Sequence, residues 1–249
     1  FTEYCVTCAY IHDIGKMFIP SEILQKPSVL TDKEFEIMKT HTTLGYQLCL
    51  KDKALRPYYA GPYYHHEALD GTGYPQGLTK KDIPYEAQII RVADEFDAIV
   101  SKRQYKSHIN ISDALKIIIS NTQPSPNAPI GTGYTTAGKN NKLVVKKLIK
   151  VVIDDTEYEI ACTMNYVKYL KQEIDRHKKI SDLINKMNSS KKQIDIDFYK
   201  EYIPCLFKNN ENFENFNKIH QEYLTAYDLK QQTVKDLFTE IDKIKKLKV

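Results

Sequence analysis

The run Ile11-His12-Asp13-Ile14-Gly15-Lys16 restricts what this chain can fold into more than any other stretch. It sets an imidazole beside a carboxylate and places a cation three residues past that carboxylate. Imidazole suits borderline divalent metals such as zinc, iron, manganese and cobalt, and a carboxylate can bridge two cations through its two oxygens. Adjacent side chains on a helix diverge by about 100°, so the pair cannot chelate one ion as neatly as an i, i+4 pair. Both can serve a site at a helix end, where Gly15 would let the chain turn sharply. Lys16 then stands where a phosphate oxygen could be held by a point charge. A His-Asp dipeptide also occurs by chance in many proteins, so its weight rests on the residues downstream of it.

Those downstream residues are specific. His41 lies in Lys39-Thr40-His41-Thr42-Thr43, and His65 and His66 stand paired ahead of Glu67. Then come Asp70-Gly71-Thr72-Gly73-Tyr74-Pro75, Ala93-Asp94-Glu95-Phe96-Asp97-Ala98 and Arg103-Gln104-Tyr105-Lys106. In order and spacing these motifs, over about Tyr4 to Thr122, resemble the HD-GYP family, the metal-dependent phosphodiesterases of the HD superfamily that hydrolyse cyclic di-GMP. The resemblance implies that His12, Asp13, His41, His65, His66 and Asp94 ligate metal, with Asp13 bridging. It implies two or three divalent ions, iron or manganese first, and a metal-bridging hydroxide attacking phosphorus to give the linear dinucleotide and then GMP. Lys16 would stabilise the phosphate, and Arg103 and Lys106 would grip the substrate, although Gln104 stands where the family has Pro. The loop with Gly73, Tyr74 and Pro75 would border the substrate and offer a surface to a cyclase-domain protein. The partners expected are thus a cyclic dinucleotide, a cyclase-domain protein and a second copy of the chain, with no nucleic-acid polymer. Members of the family usually add a His, and some a Glu, from helices upstream of the His-Asp pair. Phe1 stands 11 residues before His12, so those helices have no counterpart here and the bundle is expected to be N-terminally incomplete. Two alternatives stay open: an HD-type phosphohydrolase for another cyclic nucleotide, and a module that binds nucleotide or a cyclase without turnover.

Composition adds bounds. A formal net charge of +4 neither requires nor excludes an anionic partner, so affinity for a phosphodiester would come from a local patch. There is no run of about 18 apolar residues, so no transmembrane helix is predicted. Nothing at the start reads as a signal peptide, and a start at Phe1 suggests a piece of a longer protein with room for a membrane or sensor segment upstream. The five cysteines are an odd number, which argues against a full disulfide framework and for a reducing, cytoplasmic setting. Cys5, Cys8 and His12 share one helical face, and both thiols are read as core.

The local patterns predict a mainly α fold: an HD-type helical bundle over 1–122, a loop or linker over 123–142, and a mainly helical accessory domain over 143–249. Thr31 and Glu34 form a capping box that should open a helix running to about Leu50, with Phe35, Met38, Leu44 and Leu48 toward the core. A second helix is predicted over Pro57–Leu69, a third from Pro84, and a fourth from Asp113 to Ser120 under a Ser112 cap. Asp94 in that apolar third helix would be expensive unless ionised against a cation. Glu67 could orient a His or touch metal. Leu143–Ile160 is read as a short β-hairpin, with a helix as the alternative. His108, His177 and His220 lie among lysines and are read as solvated.

Overall fold

The structure is a computed structural model, and it describes residues 1–101, 109–124, 138–208, 212 and 214–249. Among the described residues the regular elements are all helical, apart from an isolated antiparallel bridge between Asp70 and Thr79. The chain divides into two units, Phe1–Val152 with Lys243–Val249, and Ile153–Asp242.

The first unit carries α1 (Thr2–Tyr10), a 3-10 turn (Ile14–Phe18), α2 (Ser21–Leu24), α3 (Asp32–Lys39), α4 (His41–Lys51) and α5 (Ala60–Tyr64). It continues with α6 (Tyr85–Val100) and α7 (Ile111–Ser120). The helix predicted from Thr31 to Leu50 is two helices, separated at Thr40. Its opening is as expected, because Thr31 and Glu34 form the reciprocal capping box, and Lys26 adds a 2.5 Å ion pair to Glu34. The break has a physical cause in the Thr40-His41-Thr42-Thr43 run. Each side chain takes the carbonyl three residues back: Thr40 Oγ1 donates to Ile37 at 2.6 Å, and His41 Nδ1 meets the Met38 oxygen at 2.7 Å. Thr42 and Thr43 do the same to Lys39 and Thr40 at 3.0 and 2.9 Å. Side chains that bond backbone carbonyls compete with the helix ladder, and here they end α3 one residue before α4 starts. Phe35, expected toward the core, is 44% exposed, and α3 buries none of its residues.

The helix expected over Pro57–Leu69 also resolves into pieces, a 3-10 turn at Arg56–Tyr58 and the short α5, so His65 and His66 lie just past a helix end. In α6, Pro84 precedes the first turn as predicted, and Ala87, Ile90 and Val92 are buried. Helix α7 is capped two residues earlier than predicted, by the Asn110 side chain accepting from the Asp113 amide. Cys8 and Cys49 are fully buried free thiols, consistent with a core role for Cys8. Residues 138–141 return to this unit: the Leu69 amide donates to the Lys139 oxygen at 3.1 Å, and the Asn140 amide to the Asn121 oxygen at 2.9 Å.

The hairpin expected over Leu143–Ile160 is instead the beginning of α8 (Lys142–Ser189). The buried positions Val145, Ile149, Thr156 and Ile160 recur at helical spacing, and Asp154 and Asp155 fall on the exposed side. The β-branched residues therefore fill a helical stripe, since burial outweighs their modest helix propensity. The second unit contains the rest of α8, then α9 (Gln193–Tyr202), and α10 (Phe216–Lys245) up to Asp242. Its core gathers Ile180, Ile203 and Phe216. His177, expected in solvent, is fully buried there, with its ring 4.8 Å from Phe216 and Arg176 donating to its Nε2 at 2.9 Å. His108 lies outside the described residues. No helix among the described residues is long and apolar enough to cross a membrane.

Gly15 is required by contact rather than by backbone turning. A Cβ there would stand 1.9 Å from the His41 carbonyl oxygen and 2.6 Å from the Gly45 nitrogen. Both are backbone atoms, which cannot move aside as a side-chain tip can. We expect Gly15→Ala to cost about 3 kcal/mol or more, a fall of roughly 6 °C or more in the melting midpoint of chelator-treated protein. An unchanged midpoint would show that the 3-10 turn and α4 can separate without cost.

Candidate metal centre

Three helix ends and the body of a fourth helix supply the site. His12, Asp13 and Lys16 come from the junction after α1. His41 is the first residue of α4, His65 and His66 follow α5, and Asp94 lies on α6. The structure thus brings together all six residues that the resemblance implies as ligands. Arg103 and Lys106 lie outside the described residues.

One ligand atom each from Asp13, His41, His65 and His66 fit within 4.8 Å of one another. His41 Nε2 and His65 Nε2 approach to 3.2 Å, and Asp13 Oδ1 lies 3.5 and 3.7 Å from them. Asp13 Oδ2 faces a different group: Lys16 Nζ at 2.5 Å and His12 Nε2 at 3.2 Å. Asp94 Oδ1 is 3.8 Å from the same His12 nitrogen. The two oxygens of one carboxylate therefore look toward two donor sets, His41 with His65 and His66, and His12 with Asp94.

Hydrogen bonding fixes what those nitrogens present. His12 Nδ1 meets the Ala9 oxygen at 2.6 Å, His41 Nδ1 the Met38 oxygen at 2.7 Å, and His65 Nδ1 the Gly61 oxygen at 2.8 Å. A carbonyl only accepts, so each Nδ1 carries the proton and each Nε2 is left for the site. Burial pushes His41, His65 and His66 below the ordinary imidazole range, and the neighbouring His rings lower His65 and His66 further. At neutral pH the Nε2 atoms of His41 and His65 are thus lone pairs facing each other beside Asp13 Oδ1. That oxygen is buried and has no hydrogen-bond donor among the described residues. Three acceptors converge with nothing to accept from, an arrangement that a divalent cation satisfies and a proton does not.

The second donor set behaves differently. Burial opposes protonation of His12, but hydrogen bonds to Asp13 and Asp94 outweigh it and push its pKa up to about 10. Burial would raise Asp13 too, yet His12 and Lys16 hold its carboxyl far below the usual range. Asp94 is likewise lowered by His12 against the burial that would raise it. His12 in this state is a cation between two carboxylates, occupying the place that a second metal would share with it.

The Gly-rich loop is bolted to the site by Glu67, whose side-chain hydrogen bonds among the described residues go to the loop backbone and not to a His. Its buried carboxylate accepts the amides of Gln76 and Leu78 at 2.6 and 2.8 Å. The His66 oxygen accepts from the Tyr74 amide and from Arg91 Nη1, each at 3.2 Å. Tyr74 stacks on the His66 ring at 4.7 Å, and burial raises its phenol pKa. Gly73 sits tightly against the Glu67 Cα, where a Cβ would approach to 2.5 Å. Arg91 in turn donates to Asn140, which donates to Glu95 at 2.7 Å. Neither Glu67's grip on the loop nor the Arg91 chain is legible in the sequence; their partners are backbone groups and distant amides, which leave no local pattern. Beside the ligands opens a cleft of about 780 Å³ lined by Lys16, His41, His66, Tyr74 and Asp94, among others.

The family described as HD domain matches residues 4–124. A cyclic di-GMP phosphodiesterase of Thermotoga maritima is 46% identical over 114 residues, 45% of this chain and 31% of that protein. The cyclic di-GMP phosphodiesterase response regulator RpfG of Xanthomonas campestris pv. campestris is 44% identical over 110 residues, 43% of this chain and 29% of that protein. A 3'3'-cGAMP-specific phosphodiesterase 3 of Vibrio cholerae is 36% identical over 113 residues, 45% of this chain and 25% of that protein. The matched stretch thus spans under a third of the length of each of these relatives.

Because three acceptors wait for a cation, metal should stabilise the fold. Chelator-treated protein given manganese(II) at about a hundredfold over its dissociation constant gains roughly 2.7 kcal/mol, a rise of about 5–10 °C in melting midpoint. The double variant His65→Ala, His66→Ala should show little of that rise. Equal midpoints with and without metal in the unaltered chain would mean that the cluster does not bind it.

Proposed function

Since residues 4–124 belong to the HD domain family, we propose that this protein is a metal-dependent phosphodiesterase acting on a cyclic dinucleotide, cyclic di-GMP in the first place. The observation that carries the reading is the split of Asp13: its two oxygens face two donor sets beside a cleft that also holds Lys16. In this reading Asp13, His41, His65 and His66 hold one divalent ion, and His12, Asp13 and Asp94 hold a second. Iron or manganese suits the nitrogen and oxygen donors. Bound there, the ions supply Lewis acidity and activate water at neutral pH.

The chain's own groups do the rest. Lys16, half exposed at the cleft, holds a non-bridging phosphate oxygen and neutralises charge as it grows in the transition state. Tyr74 lines the cleft, the Gly73-Tyr74-Pro75 loop borders the substrate, and Arg103 and Lys106 grip the substrate's phosphates through charge-assisted bonds. The same loop is the surface proposed for a cyclase-domain partner, with a homodimer as a further assembly and the cytoplasm as the location. The accessory domain expected over 143–249 corresponds to the second unit only for Ile153–Asp242, and no chemistry is assigned to it. The likeness to a 3'3'-cGAMP-specific relative favours one second reading, in which the substrate is a mixed cyclic dinucleotide.

Purified chain loaded anaerobically with iron(II) or manganese(II) should convert cyclic di-GMP to the linear dinucleotide. Turnover should fall at least about a hundredfold in Asp13→Asn, which loses the ionised bridging carboxylate, and chromatography of the products would measure both. Faster turnover of cGAMP than of cyclic di-GMP would select the second reading. Metal-loaded protein that binds these nucleotides without cleaving them would leave a binding module.

A further inference from the structure

The cleft beside the metal centre has a mixed lining. The metal-centre side brings Lys16, His41, His66 and Asp94; the side contributed by residues 23–38 brings the apolar Leu24, Val29, Phe35 and Met38 with Lys26, Ser28 and Asp32 among them. Leu24, Val29 and Phe35 are 43%, 82% and 44% exposed. A single exposed apolar side chain is ordinary, but three bordering one cleft that also holds charged groups ask for a ligand with both an apolar face and an anionic part.

The ring of Phe35 is the best defined part of that side. It meets Tyr74 edge-on at 6.4 Å and 82°, and Tyr74 stacks on His66. An aromatic path therefore leads from a ligand of the metal centre to the rim. Lys39, paired with Glu36 at 2.6 Å, sets its ammonium 4.9 Å from the Phe35 centroid and 5.7 Å from that of Tyr74. Such cation–π contacts hold both rings in place without covering the cleft, which Lys39 does not line.

We propose that Phe35 is a stacking platform for a nucleobase of the substrate, whose phosphodiester lies at the metal centre; this rests on the phosphodiesterase reading above. A cyclic dinucleotide matches the two sides, with an anionic phosphodiester toward Lys16 and the metal ligands and a flat purine against the ring. Leu24 and Val29 flank the base. Stacking is tolerant of base identity because every base has a π-face. Phe35 thus selects for nucleobases as a class and does not discriminate guanine from adenine. It touches no reacting atom, so it acts on substrate affinity.

The test uses the metal-loaded full chain, with Phe35→Leu and Phe35→Tyr beside the unaltered protein. Phe35→Leu should raise KM for cyclic di-GMP and for cGAMP alike by roughly 5- to 150-fold, with kcat unchanged within about twofold, and Phe35→Tyr should restore KM. A phosphorothioate cyclic dinucleotide carrying 2-aminopurine should lose fluorescence on binding the unaltered and Tyr proteins but not the Leu protein. Unchanged KM and retained quenching in Phe35→Leu would overturn the platform while leaving the phosphodiesterase standing. A loss of kcat that Tyr does not restore would also overturn it. If the unaltered chain cleaves neither dinucleotide, the phosphodiesterase reading fails, and quenching alone then decides whether the ring stacks on a base.

Discussion

The approach of the His41 and His65 Nε2 atoms to 3.2 Å beside the Asp13 carboxylate is the contact on which the first unit depends. Three acceptors at that range repel unless a cation lies among them, so the backbone must hold them there. It does so at helix ends. The last carbonyls of a helix have no intrahelical donor, and here the next His ring takes one. His12 caps Ala9 after α1, His41 caps Met38 after α3, and His65 caps Gly61 in α5. Ending the helix, fixing the tautomer and aiming Nε2 are thus one event at each of the three positions. Short helices are a consequence of that design, since a ring that caps cannot lie mid-helix.

Charge divides the site into two halves with different readiness. The half built from His41, His65 and His66 is buried and neutral, so its lone pairs stand ready for a metal. The half built from His12 and Asp94 is already neutralised by a proton on His12, which pairs with two carboxylates. Asp13 links the halves, and Lys16 competes for the oxygen on the His12 side.

The place of the candidate site was legible because it is written as residue types at definite spacings: His12-Asp13, His41, the His65-His66 pair and Asp94 all converge. The helical class was legible from periodicity. The breaks were harder to read, because Thr40-His41-Thr42-Thr43 fits a helix by hydrophobic pattern and ends one by hydrogen bonding. Phe35 was read toward the core on its apolar character, but α3 buries none of its residues. Val144, Val145, Val151 and Val152 suggested strands by propensity, but their four-residue neighbours Leu148 and Ile149 continue a helical stripe. His177 looked solvated among lysines, yet it packs on Phe216, which lies 39 positions away in sequence and so leaves no local mark. Glu67 beside two ligands suggested a role toward the metal, and only the fold shows it holding Gln76 and Leu78.

The domain also extends physically beyond the stretch that carries its motifs. The family match ends at residue 124, but residues 138–141 are part of the support for His66. Asn140 is buried, accepts from Arg91 and donates to Glu95, while Glu95 also accepts from Asn121. Arg91 then donates to the His66 oxygen, and the Lys139 oxygen takes the Leu69 amide three residues past His66. Removing residues 138–141 would leave Arg91, Glu95 and the Leu69 amide short of partners at partly or fully buried positions, each an expensive loss in a low-dielectric interior. The Pro, Gly and Asn content of this region suits a linker by composition. The hydrogen bonds of Lys139, Asn140 and Asn141 make its last residues a clasp, and the turn that carries His66 and Tyr74 is fixed from behind by it.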